Sequence, residues 1–579
     1  MKKTLGPILI MGLIAVIGVF HETPKKENKR LLQANLLAAL ELEDKIIASC
    51  GDITFDYGDL PVRAPLLEGM GAHTFPITTT MSDAQTYFNQ GMNLIYGFNH
   101  TEAHRSFKQV ADFVEDHPMA YWGQAYALSP NINDYVLDDQ RKAAANEAVQ
   151  MAVSLQANGN NLEQALITAL AARFVSDENG SISVDGDAYR MAMKNVAAQF
   201  ADNADVLTLY AAAIMNTMPW NYWEADMSPR PYTTDAKEAL EQAIELNPKH
   251  PGAHHYYIHL TELPLPDQAA KSGDALLPLV PGAGHLVHMP SHAYIRVGRY
   301  KEAAEANMQA ILADESYISQ CYSQGIYPSG YYPHNIHFLW SAATQLGDKE
   351  TAIAAAKKTA EKVPLGGLAE NNAGQEFAAI PLQAYVRFGE WNEILTTPYP
   401  GDDIRHVKLY WHYSRGVAFT RKGLPEEAQE ELDALKEITE DPSYDELYAT
   451  LNHSGDVADI AYNMLAAEMA VAKGAYDAAD QFFSKAVESE DLLTYTEPTS
   501  WPISTRQNYG AFLVDQERYE EAVVVYEEDL TVWRNVGWAL IGLYNAHKGL
   551  GNQSKANETM KQFQEAWQYA DIKIERSAL

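Results

Sequence analysis

The sequence predicts an all-α fold, an α-solenoid of about twelve antiparallel helix pairs. The chain has 579 residues, too many for one compact core, so it must divide into domains or repeats. From about residue 81 onward, apolar residues recur at helical spacing, and alternating strand patterns are almost absent. Short turns separate the helical stretches at regular intervals, which is typical of a repeat array.

Composition and charge exclude several classes of protein. Hydrophobic residues make up 47% of the chain and charged residues 21%, as in ordinary folded soluble proteins. The net charge of −34 would repel phosphates, so we expect no nucleic-acid partner. The two cysteines, Cys50 and Cys321, make no disulfide framework, and no CxxC motif occurs.

The N-terminus has the pattern of an export signal. A short basic start, Met1 to Lys3, precedes an almost wholly apolar stretch from Leu5 to Phe20. This stretch is shorter than the about 20 residues of a membrane-spanning helix. We therefore expect an extracytoplasmic protein, periplasmic or membrane-anchored, in which residues 1–22 are a signal peptide or an N-terminal anchor. A buried N-terminal helix is the alternative, and membrane contact is expected only through such an anchor.

The rest of the chain divides in two. Residues 23–80 are predicted to be a linker with one helix, at 29–45, because the remainder of this stretch is rich in glycine, proline and threonine. Residues 81–579 are predicted to form the solenoid, with a short hairpin near residues 181–185 as the exception to helix.

The repeat is clearest in the turn and second helix of each pair. Glycine ends the first helix because it adopts the left-handed cap at low cost. An aromatic residue follows two positions later, and small alanines then let the paired helices approach closely. Copies of this pattern are Gly298-x-Tyr300 with Ala303 and Ala310, Gly474-x-Tyr476 with Ala479 and Ala486, and Glu517-x-Tyr519 with Ala522.

These residues match the tetratricopeptide repeat (TPR) motif, and the chain resembles TPR proteins from about Met81 to Ala570. It is more specifically similar to a group of exported bacterial TPR proteins. That group has no settled activity, so the resemblance implies the fold more than the function. The matching stretches are Tyr87 to Gly91, Tyr96 to His100, Ala120 to Gly123, His288 to His292, Pro333 to Trp340 and Glu497 to Trp501.

Histidines are concentrated on one face of three consecutive first helices, at about residues 250–346. Counted back from each turn, four positions in each helix follow an i, i+3, i+7, i+10 spacing and so share one helical face. The resemblance implies that this face lines a concave groove. Seven of the twelve positions are histidine, whereas a frequency of 18 in 579 predicts fewer than one. The positions are Gly252, His255, His259 and Glu262; His285, His288, His292 and Ile295; and His334, His337, Ser341 and Thr344.

This pattern predicts a metal site. Histidines at i and i+4 bind one ion from a single helix, and a neighbouring helix about 8–10 Å away supplies more ligands. Imidazoles with a carboxylate and no thiol favour a divalent transition metal, zinc, copper or iron, over calcium or magnesium. The predicted ligands are His255, His259, Glu262, His285, His288, His292, His334 and His337.

Other interpretations of the histidines stay open. Protonated imidazoles in a polar groove would bind a ligand with a carboxylate or phosphate group, and histidines in helices are also often packing residues. Pro290 would place His285 and His288 in a turn if it kinked the helix. Two aromatic insertions, residues 220–223 and 327–332, either cover the groove or pack on the solenoid.

Two functional hypotheses follow. The first is an extracytoplasmic binding module whose concave groove holds a protein, peptide or small-molecule ligand, with the metal fixing it. The second is a metal-dependent enzyme, an oxidoreductase or a hydrolase, with Glu262 as the candidate catalytic proton shuttle. No phosphate-binding loop, dinucleotide-binding or hydrolase motif occurs to support another chemistry.

Overall fold

The computed structural model describes residues 64–319, 327–363, 367–445, 448–449 and 451–578. The segment predicted to be a signal or anchor, the helix predicted at 29–45 and both cysteines lie outside the described residues. Within the described ranges, no helix combines the length and the apolar character that a membrane span requires.

The described chain is built from successive antiparallel helices joined by short turns, so the predicted fold class is confirmed: it is a TPR-like helical solenoid. The helices are α1 (Ser82–Tyr96), α2 (His100–Phe113), α3 (Pro118–Ala127), α4 (Asp139–Leu155), α5 (Asn161–Ala171), α6 (Gly186–Gln199), α7 (Ala204–Met215), α8 (Thr233–Leu246), α9 (Pro251–Thr261), α10 (Pro266–Leu276), α11 (Gly284–His288), α12 (Pro290–Arg296), α13 (Tyr300–Ile318), α14 (Tyr332–Leu346), α15 (Lys349–Glu361), α16 (Asn372–Phe388), α17 (Trp391–Thr396), α18 (Arg405–Arg421), α19 (Pro425–Thr439), α20 (Ser454–Ala472), α21 (Tyr476–Asp491), α22 (Thr505–Asp515), α23 (Tyr519–Val532), α24 (Gly537–Gly549) and α25 (Gln553–Ala566).

Two short antiparallel hairpins interrupt the helices. Strand β1 (Phe174–Ser176) pairs with β2 (Ile182–Val184), which confirms the hairpin predicted in this region. Strand β3 (Tyr448–Ala449) pairs with β4 (Asn452–His453) just before α20. A π-helical turn, Tyr327–Tyr331, leads directly into α14.

The predicted turns have the left-handed backbone that the repeat pattern requires. Gly298 has a φ of +75° and Gly474 a φ of +71°, and helices α13 and α21 begin two residues after them. Glu517 occupies the same position before α23 and has a φ of +56°. Because a residue with a Cβ is strained in this conformation, the geometry of the turn must be set by the packed helices around it.

Glycines allow close approach between α1, α2 and α3. The buried ring of Phe107 in α2 lies between Gly91 of α1 and Gly123 of α3. A Cβ at Gly91 would lie 2.5 Å from the nearest ring atom, and one at Gly123 would lie 2.4 Å away. The distance between these helices therefore depends on the absence of side chains at both positions.

We expect Gly91→Ala to lower the free energy of unfolding by about 1–3 kcal/mol, because the added methyl overpacks Phe107. The better helix propensity of alanine, about 1 kcal/mol, offsets part of this loss. Gly186→Ala is the control, since a Cβ in that helix would meet only Thr217, at 3.6 Å. Urea unfolding of the two variants measures the difference, and equal stability would contradict the packing argument.

Contacts between distant repeats bring additional elements to the central helices. In a simple solenoid each repeat contacts only its neighbours. Here the ring of Tyr96, at the end of α1, lies 2.4 Å from the place where a Cβ on Gly252 of α9 would be. Trp538 of α24 donates a hydrogen bond from Nε1 to the carbonyl of Thr344 in α14, at 3.0 Å. Residues far from the central repeats in sequence therefore surround them in space.

Candidate metal centre

Helices α9, α11, α12 and α14 bring six of the predicted ligands together. Neighbouring rings in this set have centroids 4.8–6.3 Å apart. Five of the six side chains are buried, and only His334 is partly exposed. We call this set the histidine cluster: His255, His259, His285, His288, His292 and His334.

Pro290 does not move the histidines of α11 and α12 into a turn. The residue between the two helices, Met289, keeps helical angles, with φ of −50° and ψ of −36°. The amide of His292 then donates to the carbonyl of Met289, at 3.2 Å, so the chain continues as a tightened helix past the proline. His285, His288 and His292 consequently all contribute to the cluster.

The first triad consists of His255, His259 and His285, whose potential ligand atoms all lie within 4.8 Å of one another. His255 Nδ1 lies 2.5 Å from the backbone carbonyl of Tyr96, so this nitrogen donates a hydrogen bond. Nε2 of His255 therefore carries the lone pair. It lies 3.2 Å from Nε2 of His285.

The second triad consists of His288, His292 and His334, again with ligand atoms within 4.8 Å of one another. His288 Nδ1 lies 2.7 Å from Oδ1 of Asn307. The amide of Asn307 is oriented by the hydrogen bond from its Nδ2 to the carbonyl of Ala303, at 2.8 Å. Nδ1 of His288 is thus the donor, and its Nε2 lone pair faces Nε2 of His292 at 2.9 Å.

Two carboxylates lie on the Nδ1 side of the cluster. His292 Nδ1 is 3.0 Å from Oε2 of Glu262 and 2.9 Å from Oε2 of Glu497, while His259 Nδ1 is 3.8 Å from Oε2 of Glu262. None of these contacts has good hydrogen-bond geometry, so the atoms are buried without a satisfied partner. Glu262 therefore lies next to one histidine of each triad, where its carboxylate can orient both imidazoles. Because His259, Glu262 and His292 also form a group of potential ligands, Glu262 can alternatively bind a metal ion directly.

Electrostatics keeps most of the cluster neutral. Burial raises the pKa of Glu497, and the charge of Glu262 raises it further. Burial alone would lower the pKa of His292, but the charges of Glu262 and Glu497 outweigh it and raise the pKa to about 9. Neutral imidazole is the form that binds a metal. The pKa is lowered, chiefly by burial, in His255, His259, His285, His288 and His334.

Aromatic rings cover the cluster. Phe98 lies 4.5 Å from His255, Trp220 lies 5.0 Å from His259, and Tyr331 lies 4.8 Å from His285, measured between ring centroids. The two aromatic insertions thus each contribute a ring in contact with the histidines. The cluster is a covered site within the helices, where the sequence predicted a lined groove.

His337 does not join the six. It belongs to no group of potential ligands among the described residues, and its ring packs against Trp340 and Phe377 at 5.4 and 5.6 Å. Burial lowers its pKa to about 3, with no charged neighbour contributing. Of the predicted ligands, this one has the surroundings of a packing residue.

Sequence reasoning missed Glu497, which lies in the connection between α21 and α22. Its Oε1 accepts a hydrogen bond from the hydroxyl of Tyr495, and its Oε2 faces His292. The histidine pattern was read on one face of three consecutive central helices, whereas Glu497 belongs to a distant repeat. The sequence did contain one signal, the stretch Glu497-Pro498-x-x-Trp501, which the sequence analysis singled out for a resemblance.

A second polar group, His73, Asp205 and His250, is explained by hydrogen bonds alone. His250 Nδ1 accepts from the amide of Ala253 at 3.0 Å, so its proton is on Nε2, which lies 3.0 Å from Oδ1 of Asp205. The same oxygen is 3.0 Å from His73 Nε2 and accepts from the hydroxyl of Tyr96 at 2.8 Å. Burial acts to raise the pKa of Asp205, but the hydrogen bonds from the two histidines outweigh it and lower the pKa. Because Nε2 of His250 carries a proton, it offers no lone pair to a metal ion, and these three residues do not fit a metal site.

Comparison with known proteins finds solved structures that are only distantly similar to this chain. No family model and no curated protein matches the chain. Human IFIT1, in a dimer with PPP-AAAA, is 12% identical over 85% of this chain and 92% of its own, with a TM-score of 0.29. An IFIT1 monomeric mutant with Gppp-AAAA is 12% identical over 91% and 94%, with a TM-score of 0.31. Yeast Tom70 is 12% identical over 84% and 93%, with a TM-score of 0.27. The class is therefore defined by the chain's own helix pairs and left-handed turns, as a TPR-like helical repeat protein.

Proposed function

We propose that this chain is a transition-metal-binding helical repeat protein whose histidine cluster binds two ions, one in each triad. The contact between His288 and His292 carries the proposal. His288 donates from Nδ1 to Asn307, and Nδ1 of His292 faces two carboxylates, so both Nε2 lone pairs point toward each other at 2.9 Å. Two lone pairs at this distance repel each other unless a cation lies beside them, either a metal ion or a proton.

The first triad supports a second ion. The Nε2 atoms of His255 and His285 are 3.2 Å apart, and His255 is oriented through its Nδ1 as His288 is. Nitrogen ligands on a tetrahedral zinc ion, with bonds of about 2.0–2.1 Å, lie about 3.3–3.5 Å apart. The separation in this triad is close to that value, and the 2.9 Å between His288 and His292 is shorter. Histidine ligands held by hydrogen bonds from Nδ1 are the usual arrangement around such ions.

The ligand set indicates which ions to test. Each triad offers three imidazoles and no thiol, and this set suits zinc, copper(II) or iron(II), with an ion in the second triad displacing a proton from His292. Calcium and magnesium prefer oxygen ligands and are not expected to bind.

Metal content of the purified full chain tests the proposal. After incubation with zinc, copper or iron and removal of the excess, we expect two ions per chain and a higher melting temperature. His337→Ala is the control, because His337 is a buried histidine on the same predicted helical face but belongs to neither triad. This variant should retain two ions. Absence of bound metal, with no change in melting temperature, would show that the cation between His288 and His292 is a proton.

A metal-dependent enzyme is the second candidate, and the partial exposure of His334 favours it. The other five histidines are buried, so His334 is the member of the cluster that lies nearest to the surface. Three protein ligands leave a fourth position open, as in catalytic zinc sites. Glu262, predicted as a proton shuttle, lies on the Nδ1 side, so we assign it an orienting role. Azide added to the copper(II)-loaded protein should change its visible spectrum if a position is open, and an unchanged spectrum indicates a closed structural site.

Export is a separate proposal, which rests on the apolar stretch from Leu5 to Phe20. Cell fractionation of the full chain and of a form without residues 1–22 tests it. We expect the full chain outside the cytoplasm and the shortened form inside. The same location for both would contradict export through this segment.

A further inference from the structure

Arg173 is a buried cation without a counter-ion. It follows α5, and its side chain is 1% exposed. Nη2 donates to the carbonyl of Pro130 at 3.2 Å, while Nε and Nη1 are buried with no acceptor. Within the described ranges, no carboxylate lies at ion-pair distance from this guanidinium, and burial lowers its pKa.

Two of the other buried arginines of the described chain lie beside carboxylates, and a third is bonded to a neutral amide. Arg105 lies 2.7 Å from the carboxylate of Glu102, and Arg190 lies 3.0 Å from that of Asp187. Arg387 donates to the side chain of Gln507 at 2.6 Å. The chain has 77 acidic residues, and none of those that the structure describes forms an ion pair with Arg173.

The surroundings of Arg173 are polar and incompletely hydrogen-bonded. Its Cζ lies over the ring of Tyr189, 4.8 Å from the centroid. Asn216 donates to the same Pro130 carbonyl, at 3.1 Å, and its Oδ1 is a buried atom without a partner. The pKa of His100 is lowered chiefly by burial, and the charge of Arg173 adds a smaller effect. His100 donates from Nδ1 to the Ala127 carbonyl, and its Nε2 has no partner.

An uncompensated buried charge is among the most costly features of a protein interior. A water molecule can accept from Nε or Nη1, but it does not neutralise the charge. A bound anion does both. We propose that Arg173 is the anchor of a site for a small oxyanion, a phosphate or carboxylate group. The unpaired acceptors, Asn216 Oδ1 and His100 Nε2, favour an oxyanion that also carries a hydroxyl group, as hydrogenphosphate does.

This site is independent of metal binding, and the test keeps the two apart. The probes are inorganic phosphate, sulfate and acetate, added at constant ionic strength to the full chain with and without a metal chelator. Phosphate should raise the melting temperature by about 1–3 °C in both conditions. A shift that disappears with the chelator would assign the phosphate to the metal ions and overturn the proposal.

Arg173→Met and Arg190→Met separate a ligand site from a structural role. We expect Arg173→Met to lose the phosphate shift and, without phosphate, to melt no lower than the unaltered protein, because it removes an unpaired charge. Arg190→Met, which removes a buried guanidinium paired with the exposed carboxylate of Asp187, should keep the phosphate shift even if it is less stable. A destabilised Arg173→Met with an unchanged phosphate shift would contradict the proposal. If Arg173→Met does not fold, equilibrium dialysis of the unaltered protein against labelled phosphate tests the proposal. Absence of phosphate binding would overturn it.

Discussion

Replacing His288 by alanine should reduce the bound metal from two ions per chain to one, and replacing His255 should have the same effect. Each change removes a different imidazole whose Nε2 lone pair is fixed by a hydrogen bond from Nδ1, to Asn307 in one case and to the Tyr96 carbonyl in the other. Because the triads share no histidine, each loss should leave the other ion in place. The double variant should bind none. Elemental analysis with the protein concentration measured independently gives these ratios.

His254→Ala provides the matched control for His255. His254 is the adjacent buried residue of α9, but its ring nitrogens lie 3.1 Å from Ser272 Oγ and 3.0 Å from the Pro248 carbonyl, away from the cluster. This variant should retain two ions even if it is less stable. Loss of both ions from either single variant, with the fold intact, would show that the histidines form one site instead of two.

Helical periodicity was sufficient to predict the core of the cluster. His255 and His259, like His288 and His292, share a face because their spacing is fixed by the local geometry of a helix. The same periodicity placed His337 on the same helical face as His334. Periodicity does not indicate, however, at which turn of the helix the neighbouring helices make contact. The cluster lies at the first turn of α14, so His334 reaches it and His337, one turn further, packs against Trp340.

The parts that sequence reasoning could not supply come from contacts between distant repeats. Tyr96 orients His255 across the contact between α1 and α9, and Glu497 reaches His292 from the connection after α21. Such contacts are absent from a simple solenoid, in which each repeat touches only its neighbours. The contact of Phe98 with the cluster has the same origin, whereas Trp220 belongs to the aromatic insertion before α8 that the sequence analysis had singled out. The motif at Glu497 was visible in the sequence, but its position beside the histidines required the fold.

Glu262→Gln should weaken the binding of both ions, whereas Glu497→Gln should weaken only that of the second triad. Glu262 faces Nδ1 of His259 and of His292, one histidine from each triad, while Glu497 faces only His292. Glutamine preserves the volume but removes the charge that holds the proton on Nδ1 and directs Nε2 toward the ion. Loss of such an orienting carboxylate typically lowers metal affinity about 10–100-fold. Competition against a chromophoric zinc chelator resolves the two affinities.

The pair of Glu431, which is buried, and His412, which is partly exposed, supplies the control. Its carboxylate lies 2.7 Å from His412 Nδ1, in the same relation as in the cluster, but it belongs to no group of potential ligands among the described residues. Glu431→Gln should therefore leave both affinities unchanged. Complete loss of one ion in Glu262→Gln, with the other unaffected, would show that Glu262 is a direct ligand. If both affinities stayed the same, neither role would hold, and the proximity of Glu262 to the two triads would have to reflect packing alone.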